Sequence, residues 1–254
     1  MTLSGVTRRT AGALKAWLFD LDGVLTDTAA VHASAWKETF DEFLARRAGE
    51  GEPYTAFDPV ADYEQYVDGK PRLDGVRSFL ASRDIRLAEG GPGDATDCAT
   101  VNGVGRRKNE LVLRMLSVGG VSAFPGSVAL VRALRTTGRR LAVVSASENC
   151  QAVLEAAGIS DLFDVRVDGR VTSEQGLAGK PAPDTYLYAA RLLDTEPRQA
   201  AVVEDAPAGV ASGRAGHFGL VVGVSRGATA DDLLRSGADM VVSDLAELMG
   251  AVEN

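Results

Sequence analysis

Two aspartates one residue apart, Asp20 and Asp22, close the apolar run "LFDLDG". In an extended segment residues i and i+2 face the same side, so both carboxylates can point into one crevice, and Gly23 lets the chain turn sharply away. A second acidic pair, Glu204 and Asp205, closes "AAVVED"; Ser145, Ala146 and Ser147 follow "LAVV"; and Lys180 stands directly before a proline. Carboxylate oxygens are hard ligands suited to Mg²⁺, which keeps several waters and commonly bridges to a phosphate. A serine with adjoining backbone N–H groups at a strand-to-helix turn cradles phosphate oxygens, and a lysine adds a point positive charge. Such a set serves phosphoryl transfer, in which positioning and charge stabilisation supply most of the catalysis. A carboxylate can itself be the nucleophile, which splits one displacement into two. Asp20 is expected to take that role. Asp22, kept protonated for part of the cycle by its acidic neighbours, is expected to be the general acid and base.

Taken singly, each residue has an ordinary reading. Acidic groups at strand ends are often solvated loop residues, and Ser145 alone would pass for a helix cap. What favours chemistry is their joint occurrence, in order, each at the end of an apolar run.

Those runs must form elements that converge. From Leu141 onward, short apolar segments ("LAVVSAS", "DVRVDG", "AAVVED", "LVVGV", "MVVSD") alternate with helical patterns such as "ENCQAVLEAAG", "PAPDTYLYAARLL", "APAGVASGRAG" and "TADDLLRSG". This alternation predicts right-handed βαβ units and a parallel sheet with helices on both faces. Pro183 near a helix start and Gly158, Gly216 and Gly237 after helices are the expected punctuation. In such a sheet ligands bind at the carboxyl ends of the strands, where all of these side chains would meet. The first strand, Lys15 to Asp20, stands apart from the others. Between it and the core, which resumes near Phe124-Pro125-Gly126, lie helical patterns ("AVHASAWKETFDEFLARR", "PRLDGVRSFLASR", "RRKNELVLRMLS") and Gly/Pro/Asp-rich loops near 49–59 and 88–104. The expected class is therefore α/β: a Rossmann-like, doubly wound parallel sheet with an inserted helical cap. Residues 1–14 are expected to be a mobile leader, 15–31 and 118–254 the core, and 32–117 the cap.

At 254 residues, 45% apolar and 24% charged, the composition is that of an ordinary globular protein. A net charge of −8 argues against nucleic acid as a partner. No apolar run reaches the roughly 20 residues of a membrane-spanning helix. Cys98 and Cys150 form no CxxC or Cys/His cluster and fit reduced thiols. A cytoplasmic monomer is expected, and an anionic small substrate would need local basic groups. Lys70, Arg72, Arg106, Arg107 and Lys108 offer them, with a solvated helix face as the plain alternative.

The motifs "DLDGVLTD" (20–27), "SAS" (145–147), "GKPAPD" (179–184) and "VEDAPAG" (203–209) resemble those of the haloacid dehalogenase superfamily of aspartate-nucleophile phosphotransferases. Within it, "TDTAAVHASAW", "DGKPRLDGVRSFL", "RRKNELV" and "SAS" followed by Asn149 are most similar to the β-phosphoglucomutase-like subgroup. The resemblance implies a phospho-aspartate at Asp20 and Mg²⁺ held by Asp20, the backbone carbonyl of Asp22, Glu204 and Asp205. It also implies that Ser145, Ala146 and Lys180 hold the transferring phosphate. By the same resemblance Thr28 and His32 match hinge residues that help to position Asp22, and Ser147 and Asn149 fall on the substrate side. Trp36, Gly69, Arg72, Lys108 and Asn109 match positions that contact the sugar or its distal phosphate, although Trp36 and His32 would otherwise read as packing residues. The Lys180–Pro181 peptide is expected to be cis. Two positions depart from the subgroup: Asp68 stands where a lysine precedes the cap glycine, and Glu148 where a lysine is common.

The implied activity is a phosphosugar mutase converting β-glucose 1-phosphate to glucose 6-phosphate through an aspartyl-phosphate and a bound bisphosphate, under a cap that closes to exclude water. The alternative is a magnesium-dependent sugar-phosphate phosphatase with water as final acceptor. A dehalogenase would not need the acidic pair, and a non-catalytic phosphosugar-binding protein would not need the nucleophile.

Overall fold

The computed structural model describes residues 11–49 and 55–252, which form two compact units: 28–120, and the remainder on either side of it. The larger unit is built on six strands: β1 Ala16–Phe19, β2 Arg140–Val144, β3 Val165–Val167, β4 Ala200–Glu204, β5 Leu220–Val224 and β6 Met240–Val242. All pairings are parallel, in the order β3-β2-β1-β4-β5-β6. Strands β1, β4 and β5 are buried along their whole length, as expected of sheet covered on both faces. Ala16 and Leu18 pack with Tyr186, Ala189 and Val210 on one face. By the alternation of a strand, Trp17 and Phe19 point to the other.

Helices in this unit run over Pro125–Thr136, Cys150–Ala156, Gly169–Glu174, Asp184–Leu192, Pro207–Ala215, Ala230–Arg235 and Met249–Val252. Gly158 and Gly237 take positive φ where helices end. After Pro207–Ala215, however, Gly216 is helical and the left-handed residue is His217, at φ 55°. Of the leader segment, residues 1–10 lie outside the described residues. Ala11 and Leu14 are buried, and the Gly12 carbonyl accepts from Arg139 Nη2 at 2.7 Å.

The strand order reverses between β1 and β4, so the crevice at their carboxyl ends is the topological switch point where such sheets bind ligands. The register sets Phe19 level with Val143 and Val203. One residue further on, Asp20, Val144 and Glu204 reach the rim together.

The smaller unit is helical. Its long helices run over Ala29–Gly49, Arg72–Ser82 and Val101–Gly119, with a short π-helix at Tyr63–Val67. The third begins five residues before the "RRKNELV" pattern, because Thr100 caps it through a hydrogen bond from the Gly103 N–H, a strong start signal. Residues 50–54 of the first expected loop lie outside the described residues. No helix among the described residues is long and apolar enough to cross a membrane. The unit's core is aromatic: Phe79 lies 4.1 Å from Phe40, 5.1 Å from Phe57 and 6.3 Å from Tyr66, centroid to centroid. Truncating Phe79 opens a cavity that rigid neighbours cannot fill. Phe79→Ala is therefore expected to lower the stability of this unit by about 3–5 kcal/mol, read as a lower urea midpoint. A loss below about 1 kcal/mol would contradict this packing.

Candidate active site

The carboxyl end of β1 delivers Asp20, whose N–H donates to the Val203 carbonyl at 3.0 Å and whose side chain is buried. The chain then bends back at once. Gly23 takes φ +80° and donates to the Thr26 carbonyl at 2.8 Å, while Leu25 and Thr26 both donate to the Leu21 carbonyl. Glycine is required there twice over, since a Cβ at position 23 would fall 1.8 Å from Asp205 Oδ2. This tight loop holds Asp22, half-buried, beside the strand.

Strand β4 delivers Glu204, 1% exposed, and then Asp205. One oxygen from each of Asp20, Glu204 and Asp205 lies within 4.8 Å of the others. Strand β2 delivers Ser145, whose Oγ accepts from the Ser147 N–H at 3.1 Å, and the Ser147 Oγ accepts from the Asn149 N–H at 3.1 Å. These two turns leave Ala146 and the start of the helix Cys150–Ala156 beside the strand end. The Lys180–Pro181 bond is cis.

Lys180 is the cation of this cluster. Its ammonium donates to Asp20 Oδ1, pairs with Glu204 Oε1 at 2.6 Å and donates to the Val144 carbonyl at 3.2 Å. Burial works against its charge, but Asp20 and Glu204 outweigh that and hold the ammonium protonated above its ordinary range. Burial pushes the Asp20 carboxyl well above the usual carboxylate range; Lys180 opposes this, and Glu204 and Asp22 add to it. One ammonium facing several carboxylates leaves an excess of negative charge that a divalent cation would neutralise. The donor set fits Mg²⁺: three clustered carboxylates, the hard oxygen ligands that ion takes. Asp20, Glu204 and Asp205 are the side chains that would hold it.

One participant is not evident from the motifs. Tyr186, fully buried, donates its hydroxyl to Glu204 Oε1 at 2.8 Å, and the Lys180 ammonium lies 5.2 Å over its ring. Burial raises the phenol's pKa well above its ordinary value, and Glu204 adds to the effect, so the group stays a donor. The available signal was a tyrosine, on the buried face of the helix that opens after Lys180, where phenylalanine would have packed equally well.

The remaining candidates belong to the unit 28–120. Thr28 is buried, and its carbonyl accepts from the His32 N–H at 3.0 Å. Lys108, also buried, donates to His32 Nδ1 at 2.7 Å and lies 4.9 Å over the Trp36 ring. Trp36 itself stacks on Phe40 at 4.9 Å, inside the aromatic core. Arg72 Nη1 donates to Asn109 Oδ1 at 3.0 Å. Gly69 takes φ +66° in the turn before Arg72–Ser82. The ammonium of Lys70 is engaged by Ser78 Oγ at 2.9 Å, which makes it a cross-link within this unit. Arg107 pairs with Glu42 at 2.9 Å, and Arg106 donates to the Pro92 carbonyl at 3.1 Å.

Known proteins resemble this chain over most of its length. A family model described as haloacid dehalogenase-like hydrolase matches residues 14–217. A β-phosphoglucomutase of Mycobacterium bovis is 51% identical over 240 residues, 93% of this chain and 92% of that one. Hexitol phosphatase A of Escherichia coli is 30% identical over 243 residues, 92% of this chain and 93% of its own. Among solved structures, a β-phosphoglucomutase from Clostridium difficile matches with a TM-score of 0.73 and 25% identity, covering 92% of this chain and 93% of the other.

Removing the Lys180 charge leaves two buried carboxylates without their counter-ion. In chelator-treated protein, Lys180→Met is expected to lose about 3–5 kcal/mol in urea unfolding. A loss below about 1 kcal/mol would mean that the ion pairs are not formed in solution.

Proposed function

The chain belongs to the haloacid dehalogenase-like hydrolase family, and we propose that it is a phosphosugar mutase interconverting β-glucose 1-phosphate and glucose 6-phosphate. Asp20 attacks the phosphorus of a sugar bisphosphate: a bond forms between phosphorus and a carboxylate oxygen as the ester P–O bond breaks. Asp22 donates the proton that the departing sugar hydroxyl needs. In the reverse sense, Asp22 takes the proton from the hydroxyl of an incoming monophosphate as that oxygen accepts the phosphoryl group from Asp20. The bisphosphate turns over between the two transfers, so each turnover regenerates the phosphorylated aspartate. Ser145, Ala146 and Lys180 hold the oxygens of the moving group. Bound Mg²⁺ supplies charge neutralisation between the carboxylates and the phosphate. Arg72 and Lys108 are assigned to the phosphate that is not being transferred, and Trp36, Gly69, Asn109, Ser147 and Asn149 to the sugar. Thr28 and His32 are assigned to positioning Asp22. The expected compartment is the cytoplasm.

The observation that favours a mutase over hydrolysis is the 51% identity, across almost the whole chain, to a protein of that activity. The catalytic set itself would serve either reaction. The test is one assay. Purified protein with Mg²⁺, β-glucose 1-phosphate and a trace of the 1,6-bisphosphate is expected to form glucose 6-phosphate without matching release of free phosphate. Stoichiometric phosphate release without isomer would establish the phosphatase reading in its place. Asp20→Asn is expected to cut turnover by at least ~10³-fold in the same assay, and a smaller loss would remove Asp20 from the nucleophile's role.

A further inference from the structure

Glu204 has two oxygens in different situations. Oε1 receives the Lys180 ammonium at 2.6 Å and the Tyr186 hydroxyl at 2.8 Å. Among the described residues, Oε2 receives only the Ala206 N–H, at 3.4 Å. Behind the carboxylate stands Gly209, in the first turn of Pro207–Ala215. It lies so close that a Cβ there would fall 1.8 Å from Oε1 and 2.4 Å from Oε2. Two donors and a backbone wall therefore fix the plane of this carboxylate, and they occupy one oxygen far more than the other.

Tyr186 owes that position to its own packing. Its ring is fully buried beside Ala189 and Ala190 and meets Phe218 edge-on at 6.1 Å, so the hydroxyl has little freedom to turn elsewhere. Packing alone would be served by phenylalanine. The hydroxyl must instead be supplied with a partner, and its partner is a carboxylate of the cluster that fits a divalent cation.

We propose that Tyr186 is a positioning residue for the cation: by occupying Glu204 Oε1 together with Lys180, it holds Oε2 as the oxygen offered to the metal. The inference rests on the reading of Asp20, Glu204 and Asp205 as a metal site, and it holds whether the final acceptor is a sugar or water. Partners of this kind, one shell out from a metal, fix ligand orientation and typically carry about 10–100-fold in metal affinity.

The test measures metal binding without substrate, using Mn²⁺ as the probe, by titration calorimetry and by the loss of its free-ion paramagnetic resonance signal. Tyr186→Phe keeps the ring and removes the donor. It is expected to bind Mn²⁺ about 10-fold or more weakly, while still unfolding in one cooperative transition in chelator. In the activity assay the Mg²⁺ concentration for half-maximal rate is expected to rise by the same factor, while kcat at saturating Mg²⁺ stays within about threefold. 4-Aminophenylalanine at position 186, which restores a donor, is expected to recover Mn²⁺ affinity, and this variant decides the matter if Tyr186→Phe does not fold. Mn²⁺ affinity in Tyr186→Phe within about twofold of the unaltered chain would overturn the proposal. So would failure of 4-aminophenylalanine to restore affinity, or absence of Mn²⁺ binding by the unaltered chain. Phosphate release in place of isomerisation would refute the mutase reading and leave this measurement untouched.

Discussion

Several carboxylates cannot be gathered in a buried crevice without counter-charge, because each one removed from water costs several kcal/mol unless it is paired. Here that charge is the ammonium of Lys180, shared between Asp20 and Glu204 and backed by the Val144 carbonyl. It ties together three strand ends, those of β1, β2 and β4, that are distant in the chain. The pairing is incomplete: one ammonium does not balance Asp20, Glu204 and Asp205, the Asp20 carboxyl is pushed above its ordinary range by burial, and the surplus negative charge fits a divalent cation.

The sheet makes that convergence a matter of register. Because β1 lies between β2 and β4, one residue past the last paired position brings Asp20 and Glu204 to the same rim. Two glycines then let backbone come where no side chain could. Gly23 faces Asp205, and Gly209 faces Glu204, with an added Cβ in each case falling within 1.8 Å of a carboxylate oxygen. The Tyr186 hydroxyl completes the enclosure of Glu204. The sheet, turns and glycines together hold these few side chains still.

Most of the fold was legible in the chain. Short apolar runs, separated by helical periodicity and glycine punctuation, identify a parallel α/β core, and each of the runs quoted from "LAVVSAS" onward contains a strand. Boundaries were less legible. The helix Val101–Gly119 starts at a threonine cap inside a stretch whose glycines read as loop, and His217 takes a left-handed conformation that composition assigns to Gly216. Local propensity competes weakly with capping and tertiary contacts, so such ends shift.

The candidate groups are legible in the chain without its fold: Asp20 and Asp22 just past an apolar run, a second acidic pair, a serine turn and a lysine, each recognisable because motif spacing is a local property. The family is legible there too. Only the tertiary structure decided how these groups pair. Lys180 meets Asp20 and Glu204 across 160 and 24 residues of chain, and Lys70 is drawn to Ser78. Trp36 lies within an aromatic core, and Tyr186 turns its hydroxyl onto Glu204. Those outcomes depend on strand order, register and packing, which bring distant residues within hydrogen-bonding reach and leave no trace in the spacing of any one motif.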